Sequence, residues 1–440
     1  MARYLVYTSP ARGHLYPVVP TLEELRRRGH EVVVRTLASE VGLLRELGFE
    51  VEAIDPAIER KEHTDWRART PIGALRDNLH VFFERARYEG PELRRAIEEK
   101  RPDALLVDVN AWGAMAAAEN AGLPWATWCP YFLPIPSRDA PPFGLGLPPA
   151  RGALGRLRDR LLSSVLLWIY NRQAPELDAV RAELGAPPVR RIERAMVRAP
   201  LMLHMTAEPF EYPRSDWPPS VRMVGPGIWD PPAESPAWLE EIKRPLVLVT
   251  CSTEFQNDGK LAQAALEALA GEDVSVVVTT AGVDPSSFAP PPNARVERFV
   301  PHSPVLERAS CVVCHGGMGI TQKALAAGVP VCVVPFGRDQ FDVARHVEVA
   351  DAGTRLPASR LRPDRLRAAV QEAISKKAGA ERIAAAFAAA GGPKAAADAL
   401  EELLRIQVSK SAREKPERLG KEKNWRGTKD LAKDPGLDAN

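Results

Sequence analysis

The stretch that most constrains the fold is Cys311 to Ala327, CVVCHGGMGITQKALAA, which runs from a short apolar strand through clustered glycines into a helix. Val312-Val313 reads as the end of a buried strand, His315-Gly316-Gly317-Met318-Gly319 as the turn, and Thr321 to Ala327 as the first turns of the helix. Such a junction leaves backbone N–H groups unpaired and converging on one spot, which suits a diphosphate. His315 and Thr321 are placed to add side-chain donors. One strand further on, Pro335-Phe336-Gly337-Arg338-Asp339-Gln340 sets a carboxylate beside a carboxamide, a pair able to grip the hydroxyls of a hexose.

The rest of the chain repeats the strand-helix alternation. Residues 3–8 (RYLVYT) read as a strand, Pro17 to Arg28 as a helix stopped by Gly29-His30, and 30–35 as a second strand. A strand-helix-strand unit of this length predicts a parallel sheet covered on both faces. Asp103 to Val109 and Pro124 to Cys129 continue it, with a small-residue helix over Gly113 to Ala121. The pattern fails in the proline-dense residues 210–236, which read as a linker. It resumes with strands over 245–250, 274–280, 295–299, 311–314 and 329–334, and with Ala-rich helix over 361–405 broken near Gly391-Gly392-Pro393.

At 440 residues with 45 % hydrophobic and 26 % charged content, the chain fits two globular domains. No apolar run reaches about 20 residues and MARYLVYTS enters a strand directly, so neither a membrane span nor a signal peptide is expected and cytoplasmic residence is the default. Cys311-x-x-Cys314 matches a redox or zinc half-site only superficially, because no second pair completes a tetrahedron. Cys129, Cys251, Cys311, Cys314 and Cys332 read as buried thiols. Residues 409–440 carry nine Lys/Arg against six Asp/Glu with few large apolar residues, and read as a disordered tail, not as a basic arm for membrane or nucleic acid.

Taken together, the stretch from Arg298 to Asp342, which contains both the glycine-rich turn and the Asp339-Gln340 pair, resembles the donor-binding signature of the family 1, UDP-glycosyltransferase-like enzymes of bacterial natural-product pathways. Three other segments strengthen the resemblance: TSPARGHLYPVVPTLEELRRRGHEV with its His14, LLVDVNAWG with its Asp108, and LVLVTCSTEFQ with Ser252 and Thr253. The resemblance spans residues 3 to about 405. It implies the GT-B fold, two doubly wound domains facing across a cleft, with residues 1–209 binding an acceptor and 237–405 a nucleotide sugar.

By the same resemblance His14 is the acceptor's base and Asp108 its partner, the carboxylate fixing the tautomer and stabilising the imidazolium. From the residues alone, Asp108 is equally a cap for the helix beginning near Ala111, and the alternative for His14 is a loop histidine with structural hydrogen bonds. A phenol with a pKa near 10 and a histidine near 6.5 make complete proton transfer before attack uphill by about 4–5 kcal/mol, so the proton should leave as the bond forms. The donor would be held by Thr253, Phe299, Val300, His302, His315, Gly317, Met318, Gly319, Ile320, Thr321, Asp339 and Gln340. Phe299 stacks on the base in this reading, or is an ordinary strand core residue.

Where the family has Glu two residues after its Thr, gripping the ribose, this chain has Lys323, which cannot accept those hydrogen bonds. UDP-sugar and dTDP-sugar therefore both stay open, with glucose expected because Asp339-Gln340 matches the family's sugar-gripping pair. No Asp-x-Asp pair is present, and neither a divalent ion nor another cofactor is expected. The long connections 60–95 and 130–175 hold Trp66, Phe82, Phe83, Tyr131, Phe132, Phe143 and Trp168, some of which should line an apolar acceptor pocket. The expected activity is inverting, metal-independent transfer of a hexose to a lipophilic small molecule. The competing readings are a nucleotide-sugar epimerase and a non-catalytic nucleotide-sugar-binding partner protein. A nicotinamide enzyme is disfavoured, since Gly317-Met318-Gly319-Ile320-Thr321-Gln322 lacks the last glycine of its fingerprint.

Overall fold

A computed structural model of the chain describes residues 1–63, 70–252 and 259–406. Two all-parallel sheets organise it. The first contains β1 (Arg3–Tyr7), β2 (Glu31–Thr36), β3 (Glu50–Ala53), β4 (Ala104–Asp108), β5 (Trp125–Cys129), β6 (Leu201–His204) and β7 (Val221–Met223), in the order β3-β2-β1-β4-β5-β6-β7. The second contains β8 (Leu246–Thr250), β9 (Ser275–Thr279), β10 (Ala294–Glu297), β11 (Ala309–Cys314), β12 (Val331–Val333) and β13 (Gly353–Arg355), in the order β10-β9-β8-β11-β12-β13. The two orders are the same doubly wound topology, and each reverses direction once, between β1 and β4 and between β8 and β11. Ligands bind such sheets at the carboxyl ends of the strands flanking that reversal.

Central strands are buried along their whole length, as the runs LVLVT and ALLVD require of sheets covered on both sides. An apolar core covers each face of each sheet, and a smaller fifth cluster gathers Val109, Cys129, Leu133, Met196 and Met202. The helix formed by residues 392–406 returns from the second sheet to the first, where Ala396, Ala397, Leu400 and Leu403 join Tyr4, Val6 and Trp128 in one core. Arg28 reinforces that return by pairing with Asp398 (2.7 Å) and Glu401 (3.2 Å).

The structure corrects several sequence expectations. The proline-dense stretch 210–236 is not a bare linker, because β7 within it forms an edge of the first sheet. Residues 60–95 and 130–175 are not simply long connections. The helix Pro71–Lys100 occupies much of the first, its start capped by Thr70 Oγ1 accepting from Gly73 N at 3.1 Å. It packs so closely on the helix Trp112–Glu119 that a Cβ at Gly113 would lie 2.0 Å from the Ala86 carbonyl oxygen. The helix Gly152–Asn171 occupies the second. The five cysteines are buried, and burial pushes the thiols of Cys314 and Cys332 up to about 11 and about 12.

A second clasp joins the halves close to the cleft. Asp342, on the helix Gln340–Val349, accepts from Gly144 N (2.5 Å) and Gly146 N (3.1 Å), and Arg345 donates to the Gly146 carbonyl (2.9 Å). Gly146 has φ +57° and approaches so closely that a Cβ would sit 2.6 Å from the Phe341 carbonyl oxygen. Below it, His346 is stacked between Phe132 and Tyr212 at 3.8 and 3.6 Å, with Nδ1 2.7 Å from the Phe210 carbonyl.

Candidate active site

The helix Arg12–Arg27 follows β1 after a four-residue turn, so His14 sits in its first turn and not on a loop as the sequence had suggested. Pro17 and Pro20 are accommodated inside the helix, where they misleadingly suggested a later start. Asp108 is the last residue of β4, the strand beside β1. The reversal of strand order therefore delivers both side chains to one point, and His14 Nδ1 lies 2.9 Å from Asp108 Oδ1.

Asp108 is fully buried and collects three further donors: Ser9 N (3.2 Å), Ser9 Oγ (2.8 Å) and Asn110 N (2.8 Å). Burial pushes its carboxyl up, but His14, the Asn110 N–H and Ser9 outweigh burial and hold it below the ordinary carboxylate range. The capping and dyad readings thus coexist, since the same carboxylate orients His14 and closes the turn into the helix Trp112–Glu119. An ionised Asp108 only accepts, so Nδ1 of His14 carries the hydrogen and Nε2 of the neutral ring is the acceptor. Trp128 Nε1 donates to the His14 carbonyl at 3.1 Å, and Tyr131 lies beside the imidazole with ring centroids 5.6 Å apart. Ser9, Asn110 and Trp128 escaped the sequence reading. The short spacing in Asp108-Val109-Asn110 was a usable signal for Asn110, because an Asx turn at a strand end brings residue i+2 back onto the carboxylate.

Across from this dyad, β11 ends at Cys314 and the helix Met318–Ala326 begins after Gly317, one turn earlier than the glycines suggested. Gly316 has φ +95°, and a Cβ there would strike Val333 at 2.7 Å. A Cβ on Gly317 would lie 2.6 Å from His315 Nε2, so glycine is what lets the imidazole lie against the helix N-terminus. A Cβ on Gly319 meets nothing within 4 Å. The helix Met318–Ala326 touches the helix Arg12–Arg27, and Gln322 Nε2 donates to the Met205 carbonyl at 2.8 Å, so the His315 turn and the His14 turn belong to one cleft.

The other expected donor residues are placed as follows. Thr321 is fully buried and its hydroxyl donates back to the Gly317 carbonyl at 2.9 Å, which leaves it no reach to a phosphate. Gln340 is 2 % exposed, and its Oε1 accepts from Phe336 N (2.8 Å) and Gly337 N (3.2 Å), so it shapes the turn that presents Asp339. The side chains of Val300 and Met318 belong to the core beneath the cleft, and Ile320 packs against it. Asp339 precedes the helix Gln340–Val349, and its charge reaches Tyr131 on the opposite wall.

Phe299, just beyond β10, is 57 % exposed and is therefore not a strand core residue. His302 Nε2 is 3.3 Å from Thr279 Oγ1, and burial, with the nearby Lys323 charge, pushes its imidazole down to about 4. Lys323 is paired at 2.5 Å with Asp230, which also accepts from Ser303 N (2.9 Å) and Oγ (2.5 Å). Asp230, drawn from the proline-dense stretch, is a site neighbour that sequence reasoning missed. Thr253 lies outside the described residues.

The aromatic candidates divide. Tyr131 faces the dyad. Phe82 is partly buried and stacked on Trp112 at 5.2 Å. Phe83 and Phe132 are core residues, and Phe143 packs against the core that contains Phe132. Trp168 is 62 % exposed on the helix Gly152–Asn171 under Arg172, which makes it a surface residue and not a pocket wall. Trp66 lies outside the described residues. No helix among the described residues is long and apolar enough to cross a membrane.

Comparison with known proteins agrees with this architecture. Residues 263–403 match the family model described as erythromycin biosynthesis protein CIII-like, C-terminal domain. The chain is 35 % identical over 421 residues to 4'-demethylrebeccamycin synthase of Lentzea aerocolonigenes, a match covering 92 % of this chain and 100 % of that protein. Among solved structures, the kitacinnamycin glycosyltransferase superposes with a TM-score of 0.71 at 27 % identity, covering 91 % of this chain and 98 % of that one. The glycosyltransferase VinC, solved in complex with dTDP, shares the fold with a TM-score of 0.69 at 21 % identity, covering 92 % and 100 %. With two doubly wound domains, a histidine-aspartate pair and a glycine-rich helix start meeting at one cleft, the chain belongs to the family 1 natural-product glycosyltransferases of GT-B fold.

Proposed function

We propose that this glycosyltransferase moves a hexose from dTDP- or UDP-sugar to a hydroxyl of a lipophilic small molecule, with inversion at the anomeric carbon. The observation that carries the reading is the 2.9 Å contact of His14 Nδ1 with a buried, ionised Asp108, on a ring whose side chain is 15 % exposed. That arrangement leaves Nε2 as the basic atom, able to take the acceptor proton while the oxygen attacks the anomeric carbon. The bond to the diphosphate breaks on the opposite face. Its electron pair leaves with the nucleotide, whose growing charge meets the N-terminus of the helix Met318–Ala326 and His315. These groups supply the charge stabilisation that a divalent ion would otherwise give.

Phe299 is assigned to stack on the base, and Asp339 to accept from sugar hydroxyls, for which glucose remains the reference sugar. Among the described residues, the commitment of Asp230 to Ser303 and Lys323 leaves no idle carboxylate beside Lys323 for a ribose 2′-hydroxyl, which favours dTDP. The test is to incubate the protein with dTDP-glucose or UDP-glucose, a phenolic acceptor panel and EDTA, and to identify products by mass spectrometry and NMR. A hexosylated acceptor of inverted configuration is expected. Retained configuration, or loss of transfer on chelation, sinks the proposal.

A further inference from the structure

Asn110 covers the atom that the proposed chemistry uses. Its Nδ2 lies 3.2 Å from His14 Nε2, while its Oδ1 receives the Tyr131 hydroxyl at 2.7 Å. The direction of each bond follows from its neighbours. Burial pushes the Tyr131 phenol well above its ordinary range, so it keeps its hydrogen and donates. The Asn110 oxygen must then face Tyr131 and the N–H₂ must face His14. At the far side of the ring Nδ1–H donates to Asp108. The chain of donors runs one way, from Tyr131 through Asn110 and His14 to Asp108, and it fits only a neutral imidazole. A protonated ring would present an Nε2–H to an N–H₂.

Resting on the glycosyl-transfer reading, we propose that Asn110, oriented by Tyr131, is a positioning residue that guards the His14 base. Without acceptor, its N–H occupies the Nε2 lone pair and hinders activation of water against the donor sugar. With acceptor bound, the amide gives up Nε2 and donates to the acceptor oxygen, aiming its O–H at Nε2 and a lone pair at the anomeric carbon. The acceptor proton then passes to Nε2, the oxygen–carbon bond forms, and the carbon–phosphate oxygen bond breaks with its electrons on the nucleotide. An apolar aglycone offsets the displaced hydrogen bond by burying its own surface, and a water molecule brings no such compensation.

The charged and titratable groups around this chain include Asp108, Tyr131, the buried Cys129 thiol, Glu89 coupled to Asp108, Glu211 coupled to Cys129, Tyr170 coupled to Tyr131, and Asp339 on the facing wall, whose charge reaches both Cys129 and Tyr131. In Asn110→Ala the donor to neutral His14 disappears and the others stay. The test combines two readouts. NMR titration of the His14 imidazole in the unliganded protein, assigned by its absence in His14→Ala, should show the midpoint of Asn110→Ala moved to higher pH by about half a unit or more. Tyr131→Phe should move it the same way by less. In parallel, the ratio of dTDP-glucose hydrolysis without acceptor to transfer with acceptor should rise about fivefold in Asn110→Ala, the worth of one neutral hydrogen bond. An unchanged midpoint and ratio in folded Asn110→Ala overturns the inference. Should that variant not fold, an unchanged midpoint in Tyr131→Phe overturns it. The NMR readout does not depend on transfer, so a wild-type protein that glycosylates nothing defeats the functional reading separately.

Discussion

Replacing Asp108 by Asn separates the two duties of the buried carboxylate. The carboxylate accepts from His14 Nδ1, Asn110 N, Ser9 N and Ser9 Oγ, whereas a carboxamide offers one oxygen and two N–H groups. With the new oxygen kept toward His14 and Asn110, the amide nitrogen faces Ser9. The Ser9 hydroxyl can turn to accept, but the Ser9 N–H is left without an acceptor, which costs about 1–3 kcal/mol of stability. The tautomer of His14 survives in this arrangement, and what is lost is the negative charge beside the forming imidazolium. Unit charges with centres roughly 4 Å apart interact by about 4 kcal/mol at an effective dielectric near 20. If about half of that is realised at a transition state with the proton in flight, kcat falls about 30-fold. A fully formed imidazolium would realise the whole interaction and extend the loss to about 10³-fold. Nucleotide release followed by chromatography gives kcat, urea unfolding gives the stability change, and calorimetry with dTDP checks that donor binding is intact. The pH midpoint of kcat/KM should move downward, opposite to Asn110→Ala, because the cationic ring loses its partner. A variant with kcat within about threefold of wild type, or with the midpoint moved upward, refutes the reasoning.

Three further outcomes follow from the geometry. Gly317→Ala puts a Cβ 2.6 Å from His315 Nε2 and should weaken dTDP binding about tenfold by calorimetry, whereas Gly319→Ala, whose Cβ meets nothing within 4 Å, should cost under threefold. Phe299→Ala should weaken nucleotide affinity by a factor of about 5 or more, the worth of one stacked base, with kcat at saturating donor little changed. Burial pushes Glu89, which accepts from Gly113 N at 2.9 Å, up to about 8. Because its folded value lies above its unfolded one, its stabilising contribution is complete below about pH 4.5 and drains away as pH rises to about 8, by about 1.4 kcal/mol per pH unit. Urea titrations at pH 5 and pH 8 should show Glu89→Gln gaining stability relative to wild type at the higher pH, and an equal pH dependence in both proteins contradicts the assignment.

What the sequence disclosed, and what it withheld, has a physical pattern. Central strands such as β1, β4, β8 and β11 are continuous apolar runs because both faces are covered, so they and the doubly wound topology were legible. The edge strand β10 was read as well, but β3, β7 and β13 were not: each is four residues or fewer, too short to carry a periodicity, and β3 and β7 keep most of their side chains partly in solvent. The helices Pro71–Lys100 and Gly152–Asn171 were hidden by glycines and a proline within them. In the site, His14, Asp108, His315 and the helix-opening glycines stood out because their residue types are unusual at strand ends. Which way a side chain turns was invisible: the Thr321 hydroxyl and the Gln340 carboxamide oxygen both bond neighbouring backbone. Asn110 lies in the Asp108 motif but its side-chain partner could not be read there, and Asp230 lies outside the conspicuous motifs; only the folded chain brings them to His14 and Lys323.

The central claim is that His14 is the base and takes no part in holding the nucleotide. It is tested most directly by comparing wild type and His14→Ala for hexose transfer to a phenolic acceptor and, by calorimetry, for dTDP binding. A fall in kcat of at least about 10²-fold with the dTDP affinity unchanged is the predicted result. Transfer within about tenfold of wild type, or affinity lost in step with turnover, contradicts it.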